Sequence, residues 1–540
     1  MMPANTDCIM ADFSKQMATH CVIGSGPAGV ACTHALLQRG AKVLLLDAGL
    51  ALEKSRADLV AQMAALPPAD WTGAQLKDFK AGMAADAKGI PLKLAYGSDY
   101  PYREADLHLP ADYAGVALRP SLARGGFSSV WGAALMPYSE KDTAGWPIHT
   151  GDLREHYAAV AKLTGFSGVR DDLENIFPLH AEATAALRMS RQATLLRGKL
   201  EKNRGPLQAA GIHFGQARVA VNAGENGCVY CGLCMYGCPY GFIYNSEQTL
   251  RQLRQNPNFT YRTNAIVTRV KESGDQAAVI GYDRVSREPF EISCERAYLA
   301  AGVISTAKIV LQSLERYDQL VRLKDSQYYL FPLLLGRSGG DVEHESLHTL
   351  SQMFIEIFDD HITPRSIHLQ VYSYNDLVGQ AVRQSFGPAA GMLGWLARAL
   401  EKRLLIVQGY LHSDHSSRIA VRLSADGRLH LQAELNPEVR PTIRRVLRKL
   451  LRHGGQFGAW PLPPMLQVAE PGRGFHNGSS FPMRQNPGEL ETDTLGRLPR
   501  WRRIHLADAS VLPDVPATQI TFSVMANAHR IGSQSAGKLD

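Results

Sequence analysis

Apolar residues fall into two rhythms along this chain. Near the start, short unbroken apolar runs alternate with helical spacing. Cys21-Val22-Ile23 ends one strand, residues 30–38 carry apolar positions at helical intervals, and residues 42–46 form a second strand. Unbroken runs of this kind suit strands buried on both faces of a parallel sheet. In the middle of the chain the rhythm changes to period two. Residues 349–358 and 366–374 alternate apolar and polar side chains, as strands with two different faces do. Residues 416–423 and 428–434 flank Ala425-Asp426-Gly427, a hairpin signal. Residues 505–513 read as a strand running into a turn, and residues 521–531 as a closing helix. The pattern predicts an α/β chain: a Rossmann-like domain joined to a second, α+β domain built on an antiparallel sheet.

Composition narrows the class. The chain has 540 residues, 45% hydrophobic and 20% charged, ordinary for a globular enzyme with two large domains. No apolar run approaches the ~18–20 residues that span a bilayer. A net charge of +7 is mild at this size and is no nucleic-acid signature, so no nucleic-acid partner is expected. Residues 1–19 lack the basic start, apolar core and cleavage site of a signal peptide, and are expected to be a disordered lead with Met17 as a candidate start. Cytoplasmic residence is the resulting expectation. Two helices, residues 386–405 and 442–453, mix leucines with arginines and lysines. They read either as surface helices packing leucines on a core or as amphipathic helices giving peripheral membrane contact.

Between the first strand and helix lies Gly24-Ser25-Gly26-Pro27-Ala28-Gly29, a G-x-G-x-x-G. Its glycines allow a tight turn and close backbone approach to a pyrophosphate, which the helix N-terminus then faces. Asp47 ends the second strand at the position of a ribose-binding acid. Strand, glycine loop, helix, strand and acid together mark a dinucleotide site.

Further blocks follow in order. Arg124-Gly125-Gly126-Phe127-Ser128-Ser129-Val130-Trp131-Gly132 is a glycine-serine loop, and Trp146-Pro147-Ile148 precedes a helix. Tyr298 to Thr306 reads Y-L-A-A-G-V-I-S-T, and Asp508-Ala509-Ser510-Val511-Leu512-Pro513 lies near the end. In this order, from about His20 to Ile531, the blocks resemble those of the glucose–methanol–choline oxidoreductases. The resemblance implies FAD as cofactor, contacted by Gly24, Gly26, Gly29, Asp47, Gly126, Ser129, Val267 and Asp508. It implies an FAD-binding domain made of residues 20–150, 225–315 and 491–540, and a substrate domain made of residues 151–224 and 316–490.

His476 stands in Gly474-Phe475-His476-Asn477-Gly478-Ser479-Ser480, a loop of small residues suited to aiming a side chain into a cleft. A neutral imidazole is a natural base for an alcohol proton near pH 7. By the resemblance, His476 falls on the family's catalytic histidine, with Ser479 in place of a glycine. Gln519 falls where the family has a second His or Asn. It can orient substrate but cannot act as a second base. His529, in the closing helix, reads as structural.

Cys228, Cys231, Cys234 and Cys238, followed by Pro239, have the spacing C-x2-C-x2-C-x3-C-P of an iron–sulfur site. Either all four hold a 4Fe-4S cluster, or Cys228, Cys234 and Cys238 hold a 3Fe-4S cluster. The latter spacing resembles the cluster-bearing catalytic subunits of bacterial FAD-dependent sugar dehydrogenases. Structural zinc, and disulfides or free thiols, are the other readings. The expected function is an FAD-dependent dehydrogenase acting on a CH–OH group of a sugar, polyol or other alcohol. Its electrons would pass through the cluster to an external acceptor such as a cytochrome, a quinone or another protein. The alternatives are an oxygen-using oxidase with a structural cysteine loop, and a flavoprotein lyase without net redox turnover.

Overall fold

The computed structural model describes residues 19–82, 84–85, 91–92, 94–182, 185–385 and 394–537. The expected lead lies outside the described residues, apart from Thr19. Four short segments of the chain build one parallel sheet around His20–Ile23. The strand order is Ile504–Leu506, Arg296–Leu299, His20–Ile23, Val43–Leu46 and Phe259–Arg262, every neighbouring pair parallel. The first two strands in the chain are buried at every position, as their unbroken apolar runs require. Helices Pro27–Gln38 and Ile520–Ser535 pack on each other against this sheet. They approach so closely that a side chain at Gly532 would meet the carbonyl oxygen of Cys32 at 2.8 Å. The strand read at residue 505 and the closing helix are thus where the pattern places them, and both chain ends meet in one layer.

The second sheet is antiparallel, in the order Ala459–Pro461, Tyr328–Leu335, Leu404–Leu411, Thr363–Tyr372, Met353–Asp359 and Ile212–Gln216. Its period-two pattern separates two faces. Phe331, Leu333, Ile355, Ile367, Leu369, Val371, Leu405 and Val407 pack against helices Arg191–Lys202 and Val439–Arg452 in one apolar cluster. Glu356, Ser366, His368, Gln370, Tyr372, Gln408 and Tyr410 alternate with them and point the other way. Those polar residues are also buried or nearly so, because that face roofs a cavity instead of meeting water. A third sheet contains the expected hairpin, Arg418–Leu423 and Leu429–Glu434, turned at Gly427 (φ +82°).

The basic helix runs Val439–Arg452. Ile443, Val446, Leu447 and Leu450 are buried on the core, and its arginines lie on the other side. The helix expected over 386–405 is shorter. Residues 386–393 lie outside the described residues, helix Gly394–Glu401 follows, and Leu404 and Leu405 already belong to a strand paired on both edges. Pairing within the sheet outweighs helical spacing there. Among the described residues, no helix is long and apolar enough to cross a membrane.

Candidate active site

The glycine loop, Asp47, the stretch Ala300–Gly302 and Asp508 each follow the C-terminal end of a parallel strand. They enclose a cavity of about 240 Å³ lined by Gly24, Gly26, Asp47, Gly126, Val267 and Asp508. Ligand crevices of open parallel sheets form at these strand ends. Gly24 has φ +101°, and a side chain there would sit 2.5 Å from the Ala300 carbonyl oxygen. Gly26 is extended and leaves the N-terminus of helix Pro27–Gln38 without a side-chain cap, so its backbone amides face the cavity. Asp47 accepts from Ser25 Oγ (2.6 Å) and Tyr261 Oη (2.9 Å). Asp508 accepts from Thr306 Oγ1 (2.5 Å) and the amides of Gly302 and Ser510 (both 2.9 Å). Burial raises the pKa of both carboxyls above the ordinary carboxylate value.

Two residues expected at this cavity stand off it. Gly29 faces inward on the loop, where a side chain would overlap the Gly24 carbonyl oxygen at 1.8 Å. Its role is close packing of helix on strand. Ser129 donates its hydroxyl to the Gly126 carbonyl (2.9 Å), which shapes the loop.

A second cavity, about 250 Å³, adjoins the first and shares Phe127, Phe475, Ile520 and Thr521 with it. Its walls include Trp131, Tyr328, Gln370, Tyr372, Gln408, Tyr410, His476 and Gln519. His476 stacks on Tyr410, ring centroids 4.8 Å apart at 24°. Burial, and then the nearby His368, hold its pKa down to about 3. The imidazole is therefore neutral at ordinary pH, as a base must be, and its Nδ1 has no partner among the described residues. The loop carries left-handed backbone at Phe475 (φ +55°) and Ser479 (φ +67°), whereas the flanking Gly474 and Gly478 do not. Those glycines instead permit close approach: a side chain at Gly478 would lie 2.6 Å from the Ala509 carbonyl oxygen. Gln519 occupies the N-cap of the closing helix, with His476 on the same cavity wall.

Sequence reasoning missed the groups behind these two. Asp325, fully buried, accepts from Asn477 Nδ2 (2.8 Å), and burial pushes it up to about 7. Asn477 lines the first cavity, its Oδ1 unpartnered among the described residues. His368 contacts both Gln519 and Glu356. Asp325–Asn477 and His368–Gln519 are each more than a hundred residues apart in the chain, and His368 meets Glu356 only across neighbouring strands, so no local motif signals them. His529 is buried away from both cavities, between His34 (3.3 Å) and His156 (2.9 Å).

Cys228, Cys231, Cys234 and Cys238 line a third, small cavity with Val221, Phe242, Ile243, His348 and Leu350. Among the described residues no cysteine forms a disulfide, so of that reading only free thiols remain, and Cys8 lies outside them. Also among the described residues, no group of three or more His, Cys, Asp or Glu closes tightly enough to hold a metal ion. Backbone amides nevertheless point at the sulfurs. Phe242 N–H donates to Cys238 Sγ (3.3 Å), Tyr230 to Cys228, Leu233 to Cys231, and Tyr240 and Ile243 to Cys238. Burial pushes the Cys228 thiol up to about 11 and that of Cys231 up to about 12.

No protein-family model matches the chain, and no curated protein matches it. Among solved structures, pyridoxine 4-oxidase from Mesorbium loti is similar with a TM-score of 0.60 at 15% identity, over 96% of this chain and 99% of that one. Formate oxidase is similar with a TM-score of 0.61 at 14% identity, over 96% of this chain and 98% of that one. This chain shares their fold. The expected architecture, a Rossmann-like domain with a second domain on an antiparallel sheet, is borne out over nearly its whole length.

Proposed function

We propose that this chain is an FAD-dependent oxidoreductase of the glucose–methanol–choline type, oxidising a CH–OH group of a sugar, polyol or other alcohol. The observation that carries this reading is the meeting of two cavities. One is built from the glycine loop, Asp47 and Asp508; the other presents a neutral histidine and an amide on its wall. Gly24, Gly26, Gly126, Val267, Asp47 and Asp508 would hold FAD, the loop amides at its pyrophosphate and Asp47 at a ribose. When bound, FAD supplies a hydride acceptor. His476 takes the hydroxyl proton as the C–H bond gives up its hydride, so that CH–OH becomes C=O. Phe127 and Phe475, 4.8 Å apart, line both cavities.

The finer reading is a dehydrogenase whose electrons leave through an iron–sulfur cluster to an external acceptor. Four cysteines around one cavity, with amides directed at their sulfurs, favour a cage over a single ion. Hydrogen bonds to cysteine sulfur are one of the levers that set a cluster's potential. Ile243 lines that cavity, and the carbonyl of the next residue, Tyr244, accepts from Trp131 Nε1 (2.7 Å) in the substrate cavity wall. The cysteine loop and the substrate cavity are thus adjacent in the fold. Cys228, Cys231, Cys234 and Cys238, or three of them, would hold the cluster, which supplies one-electron transfer.

The oxidase reading is favoured by one observation: both similar structures are named as oxidases. Anaerobic purification followed by absorption spectra, iron and sulfide analysis separates the two. Flavin with iron and acid-labile sulfide supports the relay. Flavin without iron, with peroxide formed in step with substrate loss, makes it an oxidase. Absence of flavin ends both readings.

A further inference from the structure

Helices Arg191–Lys202 and Val439–Arg452 both cover the face of the antiparallel sheet that points away from the substrate cavity, and pack their apolar sides on it in one cluster. Helix Val439–Arg452 carries five arginines, one lysine and no acid. Two of these cations are paired: Lys449 donates to Asp359 Oδ2 (2.6 Å), and Arg445 lies 3.9 Å from Glu438. The others, Arg440, Arg444, Arg448 and Arg452, are exposed, and none forms an ion pair among the described residues. Spaced four residues apart, they stand in one row along the helix, about 18 Å from end to end. Like charges at this spacing repel across each turn and weaken the helix. Arg440, in the first turn, also opposes the helix dipole. Glutamates interleaved with the arginines would remove this cost, and the helix has none. The row is therefore an arrangement that an external anion relieves.

The neighbouring helix repeats the pattern. Lys199 and Lys202 are exposed without an ion pair among the described residues, and Glu201, the acid of that helix, is taken up by Arg197 (3.6 Å) and Arg204. Lys199 lies against Gly458, where a side chain would meet its Cγ at 2.6 Å. Gly458 ends the short helix Gly454–Phe457 that follows Arg452, so the basic sides of the two long helices are joined. Each side also bears an exposed leucine, Leu451 three residues from Arg448 and Leu195 four residues from Lys199. Leucines framed by cations fit the boundary between charged headgroups and acyl chains.

We infer that these two helices form a docking surface for an anionic lipid bilayer. Phosphate headgroups pair with the arginine row and the two lysines, while Leu195 and Leu451 enter the acyl boundary. A nucleic acid or an acidic peptide would meet the cations but give the leucines nothing. The surface anchors the molecule and is not a gate for substrate, because the sheet stands between it and the substrate cavity.

The test is sedimentation of the full-length protein with vesicles of phosphatidylglycerol mixed with phosphatidylcholine, and with vesicles of phosphatidylcholine alone. The protein is expected to bind the mixed vesicles, to ignore the neutral ones, and to be released by high salt. A basic residue near an anionic leaflet contributes about fivefold in affinity, so Arg444→Gln with Arg448→Gln weakens binding at least ~10-fold. Leu451→Ser weakens it roughly threefold, through lost apolar burial. The melting temperature of the double arginine variant stays at or above that of the wild type, since repulsive pairs are removed. Lys199→Gln with Lys202→Gln, on the other helix, carries the test if the arginine variant does not fold. Absence of binding to the mixed vesicles overturns the inference, as does binding unchanged in the folded variants. Binding to polyglutamate that is tighter than to the mixed vesicles and indifferent to Leu451→Ser also overturns it, and makes the surface one for an acidic protein.

Discussion

At the scale of single residues, the proposed chemistry turns on one imidazole and one amide. His476 is held neutral by burial, and its Nδ1 is unpartnered among the described residues. Removing it takes away general-base assistance, typically worth 10²–10⁴-fold. His476→Ala is expected to slow flavin bleaching by about that factor while flavin content stays at the wild-type level, because His476 does not line the glycine-loop cavity. A loss of bound flavin in proportion to activity would instead make it a structural loop residue. His476 was legible in the sequence because its loop is local: small residues surround it within a few positions. Ser479 shows the same legibility from the other side. It stands at φ +67°, where a glycine is the easier residue, and its hydroxyl donates to the Pro513 carbonyl (2.9 Å). His368 and Asp325 were illegible for the opposite reason. Their meaning depends on strand register and on partners brought in by the fold.

At the scale of elements, alternation located the strands but not what each face meets. The pattern in 366–372 reads Ser-Ile-His-Leu-Gln-Val-Tyr, and polar positions ordinarily face water. Here Ile367, Leu369 and Val371 meet helices while Ser366, His368 and Gln370 form the inner wall of the site. Nothing in one strand distinguishes a solvated face from a site wall; the distinction comes from the Rossmann-like half packed opposite. Helix Val439–Arg452 makes the complementary point. Ile443, Val446, Leu447 and Leu450 face the core, so its stability rests on them, whereas Arg444 and Arg448 are exposed. Leu447→Ala is expected to cost about 2–5 kcal/mol of unfolding free energy, and Arg448→Ser no more than about 0.5 kcal/mol. Urea unfolding of both variants checks this. Similar losses from the two would show that the charged side, not the leucine side, holds the helix down.

At the scale of the whole molecule, the number of buried neutral histidines sets how folding responds to acid. Burial holds His20, His348 and His505 down to about 4, and His368 and His529 down to about 3. All five are buried in the fold. Each has an ordinary value of 6.5 when unfolded. Below that pH the unfolded chain binds a proton that the folded chain refuses, so stability is full above 6.5 and is lost as pH falls toward the folded values. Each site contributes about 1.4 kcal/mol per pH unit in that window. Buried acids oppose them. Burial raises Asp325 to about 7 and Glu356 well above its ordinary value, so both favour the folded state increasingly as pH falls. The lowered histidines outnumber the raised acids, so the balance favours loss of stability as pH falls below 6.5. The midpoint of urea unfolding is therefore expected to fall sharply from pH 6.5 to 5 and to change little from 8 to 7. His505→Gln keeps a donor for the Leu495 carbonyl, the partner of the native ring at 2.9 Å, but cannot titrate. It is expected to shallow the slope by about one proton. A midpoint that stays level down to pH 5, in wild type and variant alike, would mean that these rings gain protons inside the fold, through openings of the structure that burial in the native state does not prevent.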